Sequence, residues 1–107
     1  MNMTTVYGIK TCDTCRKAVK ALDVELHDIR TAPLSMAQLA QFHEAFGDAL
    51  LNTRSTTWRG LSDDERALAP LDLLAAHPTV MKRPVIDRNG TLYLGWGKDV
   101  QAALSDV

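Results

Sequence analysis

Long apolar runs are absent from this chain of 107 residues. None approaches the roughly 18 residues that a membrane-spanning helix requires. Charge of one sign is lacking too, because 12 Lys and Arg face 13 Asp and Glu. A net charge of −1 gives no global field to recruit nucleic acid or an anionic membrane. The first residues, Met1 to Val6, carry neither the basic region nor the apolar core of a secretory signal. The expected location is therefore the cytoplasm. Cysteine is scarce, with two in the chain, and histidine is represented by three well-separated residues, His27, His43 and His77. Structural zinc wants four ligands, commonly from two closely spaced pairs, so no metal is expected. The length suits one domain, 1–107, and monomer is the default expectation.

What the chain does have is a pair of cysteines three apart, in Gly8-Ile9-Lys10-Thr11-Cys12-Asp13-Thr14-Cys15-Arg16-Lys17. In a reducing compartment such a pair is more often catalytic, redox-sensing or metal-binding than a structural staple. The segment before it, Thr4 to Tyr7, has the β-branched and aromatic residues of a strand, and Gly8 ends it. After it, Cys15, Ala18, Val19 and Leu22 fall on one helical face between Cys12 and Leu22. Cys12 is thus expected at a helix N-terminus, where unpaired N–H groups and the helix dipole favour thiolate over thiol. Lys10, Arg16 and Lys17 add positive charge, and Asp13 opposes them. Cys15 sits one turn on, able to attack a mixed disulfide at Cys12. It also falls on the apolar face, so a packed, inert cysteine is the alternative.

Val24 to Ile29 alternates apolar and polar residues as a half-buried strand does, completing a βαβ unit with parallel strands. The middle of the chain is helical. Ser35 with Gln38 and Ser62 with Glu65 form capping boxes, Gly47 is a C-terminal stop, and Pro70 opens a helix to Ala76. Leu50 to Trp58 is polar and expected to be irregular. Pro84–Asp87 and Thr91–Leu94 flank Asn89-Gly90, the strongest short hairpin signal. A last helix is expected from about Lys98 to Leu104. The order β-α-β, helical insert, β-β-α predicts an α/β, thioredoxin-like fold: a four-stranded mixed sheet with flanking helices.

Four blocks carry a family resemblance: Tyr7 to Lys17, His27-Asp-Ile-Arg30, Leu50-Leu-Asn-Thr-Arg-Ser-Thr-Thr-Trp58, and Lys82-Arg-Pro84. Together they resemble the arsenate reductase (ArsC) family, and within it the Spx/YffB-like branch. The resemblance implies that Cys12 is the nucleophile, with Cys15 available for an internal disulfide. It implies oxyanion binding by Arg54 and Arg83, beside Lys10 and Thr11 of the nucleophile turn, and a cis peptide before Pro84 at the edge of the substrate groove. Guanidinium suits such ligands, since it binds planar oxyanions and carboxylates through two parallel hydrogen bonds. The function implied is a thiol-dependent reductase working through a Cys12 mixed disulfide or thiol ester. No tightly bound cofactor is implied; glutathione is the co-substrate, or a glutaredoxin- or thioredoxin-type protein the reductant. Two alternatives come with the resemblance. One is an Spx-type redox switch that binds the RNA polymerase α subunit. The other is a true arsenate reductase, disfavoured because Leu94-Gly-Trp-Gly97 lacks the third arginine of those enzymes.

Overall fold

The computed structural model describes residues 3–105. Strand β1 (Thr4–Gly8) leads into helix α1 (Asp13–Leu22) and strand β2 (Leu26–Asp28). Four helices follow, α2 (Met36–Phe46), α3 (Thr56–Arg59), α4 (Asp63–Arg66) and α5 (Pro70–Ala76), before strands β3 (Val85–Arg88) and β4 (Thr91–Leu94) and helix α6 (Lys98–Ser105). Two compact units result. One takes the N-terminal stretch through Asp28 and the stretch from Arg83 onward; the other is the insert Ile29–Lys82.

The first unit is a four-stranded mixed sheet with strand order β2-β1-β3-β4. β1 runs parallel to β2 and antiparallel to β3, which pairs antiparallel with β4. Val6 of β1 lies opposite Ile86 of β3. Both are buried together with Ala18 of α1 and Val100 and Leu104 of α6, so the two helices close one face of the sheet. The hairpin turn has Asn89 at φ 52° and Gly90 at φ 92°. Two left-handed residues in a two-residue loop are what a type I′ turn demands. Arg88 ties the sheet to its last helix, donating from Nε to Thr4 Oγ1 at 3.0 Å and from a terminal nitrogen to the Leu104 carbonyl at 2.8 Å.

Strand β2 is shorter than the alternation from Val24 to Ile29 suggested. The reason lies in how α1 stops. Asp23 adopts a left-handed conformation, φ 55° and ψ 52°, and the Val24 N–H returns to the Val19 carbonyl at 3.2 Å. Val24 therefore still belongs to the helix exit, and pairing begins only at Leu26.

The insert is held by α2 packing on α5, with Leu39 and Phe42 buried in α2 and Leu73 and Leu74 in α5. Its helix starts follow local chemistry. Ser35 accepts the Gln38 N–H while Gln38 returns a side-chain oxygen to the Ser35 N–H, and Ser62 with Glu65 does the same. The stretch expected to be irregular, Leu50 to Trp58, contains a helical turn: the Ser55 hydroxyl accepts the Trp58 N–H at 3.1 Å and starts α3. The same stretch begins with a bridge between Leu51 and Met81.

Candidate active site

Gly8 closes β1, and the chain turns at once. The Cys12 N–H reaches back to the Ile9 carbonyl at 3.1 Å, and the Cys12 carbonyl takes the first helical bond, from Arg16 N–H at 3.0 Å. Cys12 is thus the N-cap of a 10-residue helix, with extended backbone at φ −87° and ψ 116°. The residue is partly exposed, as the strand-to-helix position predicts. No capping bond is closed by this side chain in the manner of a serine. The sulfur nevertheless lies among donors.

The thiol of Cys12 is lowered from its ordinary value. Partial burial acts the other way and is the largest single influence, but the Cys15 backbone N–H, the Cys15 thiol and the Arg83 guanidinium together outweigh it. The charge expected to help from Lys10, Arg16 and Lys17 is a different matter. The groups acting on the sulfur are Cys15 and Arg83. Arg16 instead donates its Nε to the Lys10 carbonyl at 2.8 Å and lies 3.8 Å from Asp13. The side chains of Lys10 and Thr11 are exposed in the turn.

Cys15 has the opposite surroundings. It is 0% exposed, and its sulfur packs on Gly8 so closely that a Cβ at that position would overlap it. Burial pushes its thiol up to about 12, helped by its hydrogen bond to Cys12 and only partly offset by the Ile9 N–H and by Arg83. A buried thiol of this kind stays protonated and donates its hydrogen to the Cys12 sulfur. Both cysteines are free thiols here.

Arg83 and Pro84 enter from the start of β3. The peptide between them is cis. Pro84 is buried, and its carbonyl accepts the Gly95 N–H at 2.8 Å. Arg83 is half-buried and hydrogen-bonds Cys12. The sheet unit therefore assembles Cys12, Cys15, Arg83 and Pro84, with Lys10 and Thr11 in the preceding turn. Arg54 belongs to the insert. It is exposed, its N–H donates to Asn52 Oδ1 at 3.0 Å, and it shares an open groove with Asn52, Thr53 and Lys82. Among the described residues, no group of three or more His, Cys, Asp or Glu side chains is placed to hold a metal ion. None of the described helices is long and apolar enough to cross a membrane.

One residue of this region escaped the reading of the sequence as chemistry. Asp28 is 5% exposed and accepts the Lys10 N–H at 3.0 Å. Its signal was an acidic residue ending a short alternating strand, a pattern that solvated strand ends share.

A partly exposed, lowered cysteine at a strand-to-helix junction, faced by an arginine before a cis-proline, is the arrangement that the sequence blocks implied. The ArsC family model matches residues 7–104. The chain belongs to the ArsC family. Within reach of it lies an uncharacterised protein of Haemophilus influenzae, 42% identical over 96% of this chain and 100% of its own length. The global transcriptional regulator Spx of Streptococcus pyogenes is 32% identical over 96% of this chain and 86% of Spx. Among solved structures, a YffB protein superposes with a TM-score of 0.84 at 29% identity, covering 95% of this chain and 98% of that one. An arsenate reductase (ArsC) related protein from Brucella melitensis does so with a TM-score of 0.71 at 33% identity, covering 97% and 95%. This ArsC-family chain therefore shares its mixed sheet and flanking helices with thioredoxin-like relatives, in the Spx/YffB-like neighbourhood.

Proposed function

We propose that this ArsC-family protein is a thiol-dependent reductase in which Cys12 is the nucleophile. The observation that carries the reading is the contrast between the two thiols. Cys12 is lowered and partly exposed beside Arg83, whereas Cys15 is buried and raised to about 12. Of the two, Cys12 is the one whose surroundings favour presenting a thiolate to a substrate.

The Cys12 thiolate attacks one sulfur of a disulfide substrate. The S–S bond breaks, the other sulfur departs as a thiolate, and a mixed disulfide remains on Cys12. Glutathione then attacks that mixed disulfide and releases the Cys12 thiolate. The departed substrate thiolate takes up the proton lost by glutathione, and a second glutathione attacks the glutathione–substrate disulfide to free the other substrate thiol; the two electrons come from the two glutathiones, which end as one disulfide. With an oxyanion substrate the corresponding intermediate is a thiol ester on Cys12. Arg83 is suited to hold the anionic group, and Arg54, in its open groove, to bind a carboxylate or oxyanion. Lys10 and Thr11 border the nucleophile, and the cis peptide before Pro84 sets the Arg83 backbone beside it. Glutathione is the proposed co-substrate, with a glutaredoxin- or thioredoxin-type protein as the other source of electrons, and the cytoplasm the proposed setting.

Arsenate is the less favoured substrate. The stretch after β4, Gly95-Trp96-Gly97, carries no guanidinium, and Arg88 is engaged by Thr4 and Leu104. A regulatory reading has its own support in the 32% identity to Spx together with the cysteine pair. In that reading oxidation joins Cys12 to Cys15, and the reporter is binding to the RNA polymerase α subunit.

Glutathione-coupled disulfide reduction tests the proposal. Cys12→Ser is expected to abolish turnover, and Cys15→Ser to retain part of it. Full activity in Cys12→Ser excludes the reductase. A wild-type protein without turnover that captures α subunit in an oxidant-dependent way establishes the regulatory reading instead.

A further inference from the structure

Asp28 is the one charged residue in the described core, at 5% exposure. It ends β2 opposite Gly8 of β1 in the parallel register. Register partners point to the same face of a sheet. The face in question is the one on which Cys15 Sγ packs over Gly8. Burying a carboxylate is costly unless hydrogen bonds compensate it. For stability alone, an apolar side chain would serve as well or better.

What this carboxylate does is grip the backbone of the nucleophile turn. Asp28 Oδ2 accepts the Lys10 N–H at 3.0 Å. On the other side of the same residue, the Lys10 carbonyl accepts Arg16 Nε at 2.8 Å. Residue 10 is clamped between a buried carboxyl group from β2 and a cation from α1. Bonds with one ionised member are roughly twice as strong as neutral ones. Lys10 sits inside the turn closed by the Cys12 N–H on the Ile9 carbonyl. Its backbone position therefore sets where the Cys12 Cα, and the sulfur beyond it, emerges.

We propose that Asp28, with Arg16 opposite it, is a positioning residue that fixes the Lys10 backbone and thereby holds the Cys12 sulfur in register with the Cys15 N–H and Arg83. This rests on Cys12 being the reacting group. Asp28 acts through the main chain that it holds, while Cys15 and Arg83 act on the sulfur directly.

The test is the pH dependence of Cys12 alkylation by iodoacetamide, read residue by residue by mass spectrometry, in folded full-length variants. Asp28→Ala is expected to move the Cys12 titration up by about one pH unit, a roughly tenfold loss of thiolate below both values. Asp28→Asn keeps an acceptor for the Lys10 N–H and is expected to recover most of that loss. An unmoved titration in folded Asp28→Ala overturns the proposal, and so does Asp28→Asn behaving no better than Asp28→Ala. Should Asp28→Ala fail to fold, Arg16→Met and Lys17→Met decide. Each removes one exposed charge from the start of α1, but only Arg16 touches Lys10. A larger upward shift in Arg16→Met supports the clamp, and equal shifts overturn it. Alkylation needs no turnover, so an inactive wild-type enzyme sinks the reductase reading without touching this result.

Discussion

The N-cap of α1 and the turn directly behind it present the same side chain to opposite surroundings. At the cap, the Cys12 sulfur is partly open, meets an N–H, a thiol and a guanidinium, and is lowered. One turn on, the Cys15 sulfur is sealed against Gly8 and pushed up to about 12. Three positions of helix separate a thiol that is lowered from one that is raised to about 12. The ease of ionisation is set by position along the first helical turn, not by the residue type. The pair also cooperates, since the protonated member donates to the ionised one.

Removing either sulfur breaks the comparison most severely. Cys12→Ser is expected to lose thiol transfer entirely, as a hydroxyl ionises far too weakly to replace a thiolate. The next largest effect is expected at Gly8. Its missing Cβ is the space that Cys15 Sγ fills, and the Cys15 Cβ is 3.1 Å from where that atom would stand. Gly8→Ala should destabilise the fold by about 1–3 kcal/mol through overpacking. Urea unfolding of this variant with and without Cys15→Ala measures it; the double variant should recover part of the loss.

Arg83→Met sharpens the contrast from the other side. It withdraws one of the groups that hold Cys12 down. The Cys12 titration should rise by about one pH unit, with roughly tenfold less thiolate below both values. Iodoacetamide alkylation over a pH series reads that shift directly.

Stability against pH gives a subtler signature, because the two sulfurs contribute with opposite sign. Cys12 ionises in the folded protein below the ordinary value of 9.0, so in that window the unfolded chain binds more protons and stability rises with pH. Cys15 holds its proton in the folded protein to about 12 although the unfolded thiol releases it near 9.0. Across that alkaline window the folded protein binds more protons, and stability falls as pH rises. Cys15→Ala should remove its share of the alkaline loss, and Cys12→Ala its share of the gain below 9.0, in denaturant titrations at several pH values. The smallest effect belongs to the insert. Ser35→Ala removes a capping box and should cost about 1 kcal/mol while leaving the Cys12 titration unchanged.

The parts of this molecule that were legible in its sequence are those fixed by local chemistry. Ser35 with Gln38, Ser62 with Glu65, Pro70 and Asn89-Gly90 all act within a few residues, and each element begins or turns where they stand. The chain order of strands and helices and the place of Cys12 followed from the same signals. Long-range effects were harder to see. Asp23 ends α1 in a left-handed conformation that glycine or asparagine would have advertised, so β2 looked longer than it is. Charge near Cys12 was visible, but not which cations face the sulfur: Arg16 turns to the Lys10 carbonyl, while Arg83, some 70 residues on, comes to Cys12 through the β1–β3 pairing. Asp28 was hidden for a similar reason, since its partner Lys10 lies 18 residues earlier.

Residue-resolved alkylation across pH is the measurement that bears most directly on the contrast between the two thiols. Cys12 should react as a thiolate at pH values below 9.0, while Cys15 stays unmodified until the pH nears 12 or the protein unfolds. Two cysteines titrating together near the ordinary thiol value, or Cys15 reacting first, would contradict the account.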